Sequence, residues 1–213
     1  MMFLMKKSLN HAEMINSKEK RLKVCAWLAL GLGLAQLAIM LTAWLLTAAW
    51  PEEFTRSFLS AEGIRWLFGK FQENLATPAL VWLVVCSIAW GAYRESRIWD
   101  YDRREYRQRF AMGVAIFEGV MSVLVMLLLT MLPHAILLNV MGGLFPSSFS
   151  HSIIPYVAIS VTIACCSFGL ISGRVHGIEG VFAVLTSGIE RLAPLFVLYV
   201  LGTQLYYSIL YLM

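Results

Sequence analysis

Five long stretches of apolar residues, separated by more polar segments, form the main pattern of this chain. They cover residues 24–50, 75–93, 110–132, 152–172 and 192–213. A helix needs ~20 apolar residues to cross ~30 Å of hydrocarbon, and each stretch reaches this length or comes close to it. We therefore predict an all-α, polytopic integral membrane protein with about five transmembrane helices. A polar tail, residues 1–23, precedes a single membrane domain, residues 24–213.

Composition supports a membrane protein. The chain is 59% hydrophobic and 14% charged, whereas a soluble domain is about 25% charged. The first stretch is too long and begins too late for a signal peptide, and no small-residue cleavage site lies near its end at Trp50-Pro51. We expect this stretch to remain in the protein as a span.

Lys and Arg are distributed unevenly among the polar segments. Counted from the N-terminus, alternate segments hold fourteen basic residues against three in the others. Lys and Arg are retained on the cytoplasmic side during insertion. The pattern predicts a cytoplasmic N-terminus and an outside C-terminus, and we expect the bacterial inner (cytoplasmic) membrane as the location. The Arg-rich segment 94–109 is interleaved with acidic residues, which favours contact with anionic headgroups and no nucleic-acid partner.

The first connection predicts a helix of its own. Ile64, Leu67 and Phe71 recur at helical spacing, and Ser60 is suited to start a helix. Polar residues take the other positions, which is typical of an amphipathic helix on a membrane surface. We predict such an external helix at about 60–74.

The third connection, residues 133–151, is unusual because it is apolar yet uncharged and interrupted by proline and glycine. Asn139 is its one amide side chain, and Gly142-Gly143 follows it. Non-helical backbone at membrane depth is tolerated only where protein or a water-filled cavity covers it. We predict a partly buried, interfacial or re-entrant segment.

Glu118 is the most informative polar residue because it lies about eight residues into the third stretch. That places it about 12 Å along the predicted span, near its inner boundary. A charged, unpaired carboxylate at mid-membrane costs ~2.5 kcal/mol or more. Two interpretations stay open: a proton- or cation-linked carboxylate facing a cavity, and a structural group hydrogen-bonded to another helix or reaching back to the membrane surface.

Other polar side chains in the stretches predict local or interhelical hydrogen bonds. Gln36 and Gln204 are expected to bond to neighbouring helices, and Ser160, Thr162 and Ser167 can bond to their own helix backbone. The small-residue pairs Ala29/Gly33 and Gly31/Ala35 fit either close helix packing or simple tolerance of small residues. No Cys and His spacing indicates a metal site, and no nucleophile with an orienting base indicates an enzyme.

Three fragments carry a family resemblance. The first is S-A-E-G-I-R-W-L at residues 60–67, continuing through Asn74 and Pro78; the second is E-G-V-M-S at residues 118–122; the third is residues 185–204. In this order they resemble the p-aminobenzoyl-glutamate transporter (AbgT) family. In that family the first block passes from a surface helix into a span.

The resemblance implies a secondary transporter, with proton coupling, for a small anionic or aromatic metabolite such as a folate fragment or an antimetabolite. Gly119 and Ser122 are the two residues that correspond to the family pattern one by one. As candidate substrate or coupling residues we take Glu118, Ser122, Asn139 and Gln204, with no catalytic residue, no metal and no cofactor. The expected partners are the lipid bilayer, a small-molecule substrate, and a second copy of the chain or another membrane protein.

One departure from the family supports a second hypothesis. Residues 123–127 are wholly apolar, where the family carries a polar run after its G-V-M-S segment. The chain is also much shorter than the family's members. A non-transporting membrane scaffold or accessory subunit, which keeps the packing helices and lacks the substrate-binding segments, is therefore the alternative.

Overall fold

A computed structural model describes the backbone of residues 2–54, 56–131 and 148–213 and the side chains of residues 19–54, 56–130 and 152–213. The predicted segment 133–151, with the candidate residue Asn139, lies outside the described residues except for the start of a helix at Ser148.

All regular elements in these described ranges are helical. In chain order they are α1 (Met2–Ala49), α2 (Ala61–Gly69), α3 (Phe71–Leu75), α4 (Pro78–Ser96), a short 3-10 helix (Ile98–Asp100), α5 (Tyr106–Met131), α6 (Ser148–Ser172) and α7 (Gly177–Leu212). The predicted all-α class is confirmed.

Four helices in the described part of the chain are long and apolar enough to cross a membrane, so the polytopic prediction is confirmed. They are Glu19–Ala49, Tyr106–Thr130, Ser152–Ser172 and Gly177–Leu212. Five spans were predicted, one more than these four, because the apolar part of α4 is too short. Arg94 and Glu95 occupy the last turn of α4. The apolar part before them, residues 78–93, is about 24 Å long, less than the ~30 Å of the hydrocarbon layer.

Both terminal helices are longer than predicted. α1 begins at Met2, inside the predicted polar tail, and α7 begins at Gly177, ahead of the predicted span. Pro194 lies inside α7. Proline is tolerated within membrane helices because neighbouring groups satisfy the carbonyl it leaves free. The 36 residues of α7 make a helix about 54 Å long, well over the hydrocarbon thickness.

The chain divides into two compact units, and the division falls within α7 beside Pro194. The first unit comprises residues 1–77 and 193–213, which include α1, α2, α3 and the end of α7. The second comprises residues 78–192, which include α4, α5, α6 and the start of α7.

In the first unit, the S-A-E-G-I-R-W block serves packing. Ser60 caps α2 as predicted, because its hydroxyl accepts a hydrogen bond from the backbone N–H of Gly63 at 3.0 Å. A Cβ on Gly63 would lie 2.1 Å from a backbone carbonyl oxygen of the preceding loop, so only glycine fits there. Trp66 stacks on Tyr211 of α7 with ring centroids 4.4 Å apart. The block thereby attaches α2 to the C-terminal end of α7.

The predicted helix at 60–74 is two helices, because α2 ends before Lys70 and α3 begins at Phe71. The end of α3 is attached to α7 by Tyr199, whose hydroxyl donates to the carbonyl of Leu75 at 2.9 Å. Tyr199 and Tyr211 are twelve residues apart, which corresponds to about 18 Å of helix. The α2–α3 segment therefore follows α7 over most of that length.

In the second unit, α4 and α7 approach each other at glycine. A Cβ on Gly188 would lie 1.9 Å from the carbonyl oxygen of Ser87, and one on Gly91 would lie 2.6 Å from the nitrogen of Gly188. Small residues allow such backbone contact between membrane helices. Cβ atoms on Gly31 and Gly33 of α1 would meet nothing within 4 Å. The close packing considered for those two positions is therefore absent among the described residues.

Arg174, between α6 and α7, organises one end of the second unit. Its guanidinium donates to the carbonyls of Ser96 at 3.0 Å, Asp100 at 2.7 Å and Arg97. It also lies over the buried ring of Phe168, 5.6 Å from the ring centroid. Because these carbonyls belong to the end of α4 and the 3-10 helix, Arg174 fixes the turn that leads out of α4.

Candidate functional site

Glu118 lies halfway along a helix that is long and apolar enough to cross a membrane. It is the thirteenth of the 25 residues from Tyr106 to Thr130, about 18 Å from either end. α5 begins at Tyr106, ahead of the predicted stretch, and its first turn carries Arg107 and Arg109. The depth of about 12 Å, counted from Phe110, therefore stays a prediction. A charged carboxylate without a partner is costly within a membrane.

One oxygen of the Glu118 carboxyl is held by α6. The hydroxyl of Ser167 donates to Oε1 at 2.8 Å. The predicted bond from Ser167 to its own helix was therefore wrong, whereas the one predicted for Thr162 is confirmed by its 2.8 Å bond to the carbonyl of Ala158. Oε2 of Glu118 is buried and has no hydrogen-bond partner among the described residues. A buried polar atom of this kind requires an explanation such as an unseen water, ion or proton-linked role.

A cleft of about 400 Å³ lies between α5 and α6 and begins at the residue after Glu118. Its lining is mainly apolar, from Gly119, Val123, Met126 and Leu127 on α5 and from Ile153, Val157, Val161 and Ala164 on α6. Four hydroxyl-bearing side chains interrupt this lining: Ser122, Thr130, Tyr156 and Ser160. Glu118 itself is outside the lining and lies at the cleft's end, since its partner Ser167 is about one turn beyond Ala164.

Tyr156 closes one side of the cleft. Its hydroxyl donates to the carbonyl oxygen of Ser122 at 2.7 Å, which gives α5 and α6 a second polar contact besides the Glu118–Ser167 bond. These two hydrogen bonds hold the helices together around the cleft. An interhelical hydrogen bond within a membrane contributes roughly 0.6–2 kcal/mol, so neither bond by itself makes the contact between α5 and α6 rigid.

The cleft suits an apolar or aromatic group with a few polar atoms. Binding sites for small molecules are mostly apolar with a small number of placed polar groups. The lining contains no Lys, Arg, Asp or Glu. A carboxylate on a ligand would therefore find no cationic partner in the lining, and the aromatic part of the predicted substrates fits the cleft better than their anionic part does.

Among the candidate residues, Glu118 and Ser122 lie one turn apart on α5, and of the two only Ser122 lines the cleft. Gln204 belongs to the first unit, where it is 9% exposed and its amide oxygen and nitrogen have no partner among the described residues. The interhelical bond expected for Gln204 is thus not observed, whereas Gln36 does donate to the hydroxyl of Ser208 at 2.8 Å, as predicted. Asn139 lies outside the described residues.

Ser167 and Tyr156 belong to this site but were not among the site residues predicted from the sequence. A signal existed for Ser167, because Ser160, Ala164 and Ser167 recur at i, i+4 and i+7 and so share one helix face. A stripe of small residues in a span is typical of a surface that receives another helix. Tyr156 carried no such signal, because it could equally have been an interfacial aromatic residue.

The described residues hold no group of three or more His, Cys, Asp or Glu side chains that could bind a metal ion. No family model matches the chain, and neither a curated protein nor a solved structure matches it.

Proposed function

We propose that the chain is a secondary transporter in which Glu118 binds and releases a proton as the α5–α6 cleft takes up a small molecule. The observation that carries this proposal is Oε2 of Glu118, which is buried halfway along α5 and has no hydrogen-bond partner in the described part of the chain. Carboxylates within membrane helices are rare, and side chains of this type form the proton relays of pumps and transporters.

The resemblance to the AbgT family gives the substrate class for this proposal. It suggests a small aromatic metabolite that carries an anionic group, such as a folate fragment or an antimetabolite. The apolar lining with four hydroxyls supports the aromatic part of that class. A single chain with so few polar groups would make a poor conduit, so we also propose that the transporter works as a homo-oligomer.

The proposed orientation has the N-terminus in the cytoplasm and the C-terminus outside, in the bacterial inner membrane. The uneven distribution of Lys and Arg supports it. It requires an odd number of crossings, so α4 would have to cross together with the four longer helices. Snorkelling of Arg94 and local thinning of the bilayer would accommodate the short apolar part of α4.

A cleft-filling variant tests whether this cleft is the route. Ser160 lines the cleft, whereas Ile159 lies outside its lining and is 52% exposed. In proteoliposomes supplied with radiolabelled p-aminobenzoyl-glutamate, Ser160→Phe should abolish uptake and Ile159→Phe should leave it near the wild-type rate. Equal uptake by the two variants, or no uptake by the wild type, would contradict the proposal.

The second candidate is a non-transporting scaffold or accessory subunit. It is favoured by the way the S-A-E-G-I-R-W block is used, since Ser60, Gly63 and Trp66 all serve the docking of α2. In this case affinity purification should recover one constant membrane partner, and the purified chain should show no flux in proteoliposomes.

A further inference from the structure

A second groove of about 500 Å³ lies between α4 and α6, and no charged residue lines it. Four residues of α4 line it, namely Cys86, Ala89, Trp90 and Tyr93, together with five residues of α6 between positions 153 and 161. The lining is apolar or aromatic throughout. Along α6 the groove extends for about 12 Å, which suits a chain-shaped apolar group lying parallel to the helices.

Aromatic side chains lead from this groove to the end of α4. The rings of Trp90 and Tyr93 are 6.2 Å apart between centroids, and those of Tyr93 and Trp99 are 5.1 Å apart. All three are partly exposed, at 46%, 40% and 51%. Trp and Tyr are enriched where hydrocarbon meets headgroups, so this row marks the level of the membrane surface beside the groove.

Basic side chains stand at the same end. Arg94 directly follows Tyr93, and Arg97 comes next after the end of α4; both are exposed. The acidic residue between them, Glu95, is already paired with Arg191 at 2.5 Å. The two arginines therefore keep their positive charge available at the surface.

We propose that this groove binds one anionic phospholipid, with an acyl chain between α4 and α6 and the phosphate at Arg94 and Arg97. Basic pockets at the ends of membrane helices bind anionic headgroups, and each Lys or Arg near the surface contributes ~1 kcal/mol. The groove supplies the apolar contact and the arginines supply the headgroup selectivity. The groove shares Ile153, Val157 and Val161 of α6 with the α5–α6 cleft, whereas its α4 wall belongs to the groove alone. The lipid proposal does not depend on the transport proposal.

Native mass spectrometry tests the proposed headgroup selectivity. The protein is given phosphatidylglycerol or phosphatidylethanolamine with identical acyl chains. The wild type should bind phosphatidylglycerol about tenfold more tightly. The double variant Arg94→Gln with Arg97→Gln should lose this preference. The matched control is Arg103→Gln with Arg104→Gln, which removes the same charge from two other exposed arginines of the same connection. This control should keep the preference for phosphatidylglycerol. An equal loss in both double variants would show diffuse attraction and overturn the proposal.

A second pair of variants tests whether the acyl chain lies in the groove. Cys86 lines the groove and is exposed, so Cys86→Trp should fill it and weaken binding of both lipids. Val81, on the same helix and 53% exposed, is outside the lining, so Val81→Trp should bind as the wild type does. Unchanged binding in a folded Cys86→Trp protein, with its helix content verified by circular dichroism, would overturn the assignment of the groove.

Discussion

Ser167 holds one oxygen of Glu118 with a hydrogen bond of 2.8 Å, while the other oxygen is buried with no partner among the described residues. Glu118 thus has one feature that fits each of the two interpretations left open by the sequence. The bond to α6 is the structural contact that was anticipated. The second oxygen, buried halfway along α5, is the feature that a purely structural role leaves unexplained.

The contact between α4 and α7 predicts a strong effect of a single methyl group. Gly188→Ala would place a Cβ against the carbonyl oxygen of Ser87, 1.9 Å away in the present arrangement. The helices must separate, and we expect a loss of about 1–3 kcal/mol in stability. Gly113→Ala is the control, because a Cβ there meets nothing within 4 Å. In detergent, Gly188→Ala should unfold at a lower temperature than Gly113→Ala. Equal unfolding temperatures would contradict the close approach of α4 and α7.

The stacking of Trp66 on Tyr211 predicts that α2 detaches when the indole is removed. Trp66→Leu should cost roughly 0.5–1.5 kcal/mol from the lost aromatic contact and should speed tryptic cleavage after Lys70. Phe68→Leu changes an aromatic ring on the same helix that is 77% exposed, so its cleavage rate should match that of the wild type. Similar acceleration in both variants would indicate that Trp66 does not anchor α2.

The bonds of Arg174 predict local protection of the turn after α4. Arg174→Gln removes donors to the carbonyls of Ser96 and Asp100, which should destabilise the turn by about 1–3 kcal/mol. Amide hydrogen exchange over residues 97–100 should quicken in this variant. The control is Arg103→Gln, at an exposed position. Unchanged exchange in Arg174→Gln would mean that the turn is held by other contacts.

The orientation is tested with cysteines placed near the two ends. Glu19 and Met213 are both exposed, the latter at 92%. In a cysteine-free background, Glu19→Cys should react with a membrane-impermeant maleimide only after cells are opened, whereas Met213→Cys should react in intact spheroplasts. Reaction of both residues from the same side would mean an even number of crossings, with α4 failing to cross.

Local signals explain what the sequence could predict. The five apolar stretches indicated the helical membrane class, and Ser60 marked the start of α2 because capping depends on residues three positions apart. Helix ends were less predictable, since Pro194 is compatible with either a helix start or a membrane-helix interior.

Distant contacts explain what the sequence could not predict. Arg174 bonds to Ser96 across 78 positions, and Ser167 bonds to Glu118 across 49. Neither pairing follows from the spacing of residues along one helix. They depend on which helix faces are brought together, and in a chain this apolar many faces are equally able to pack.

The central claim is that Glu118 carries the coupling proton. Its most direct test is uptake of p-aminobenzoyl-glutamate into proteoliposomes with and without an imposed pH gradient, for the wild type, Glu118→Gln and Glu179→Gln. Glu179 is an exposed carboxylate in the first turn of α7, so its change is chemically matched. We predict that the gradient accelerates uptake by the wild type and Glu179→Gln and has no effect on Glu118→Gln. Acceleration of Glu118→Gln to the same degree as the wild type would contradict the claim.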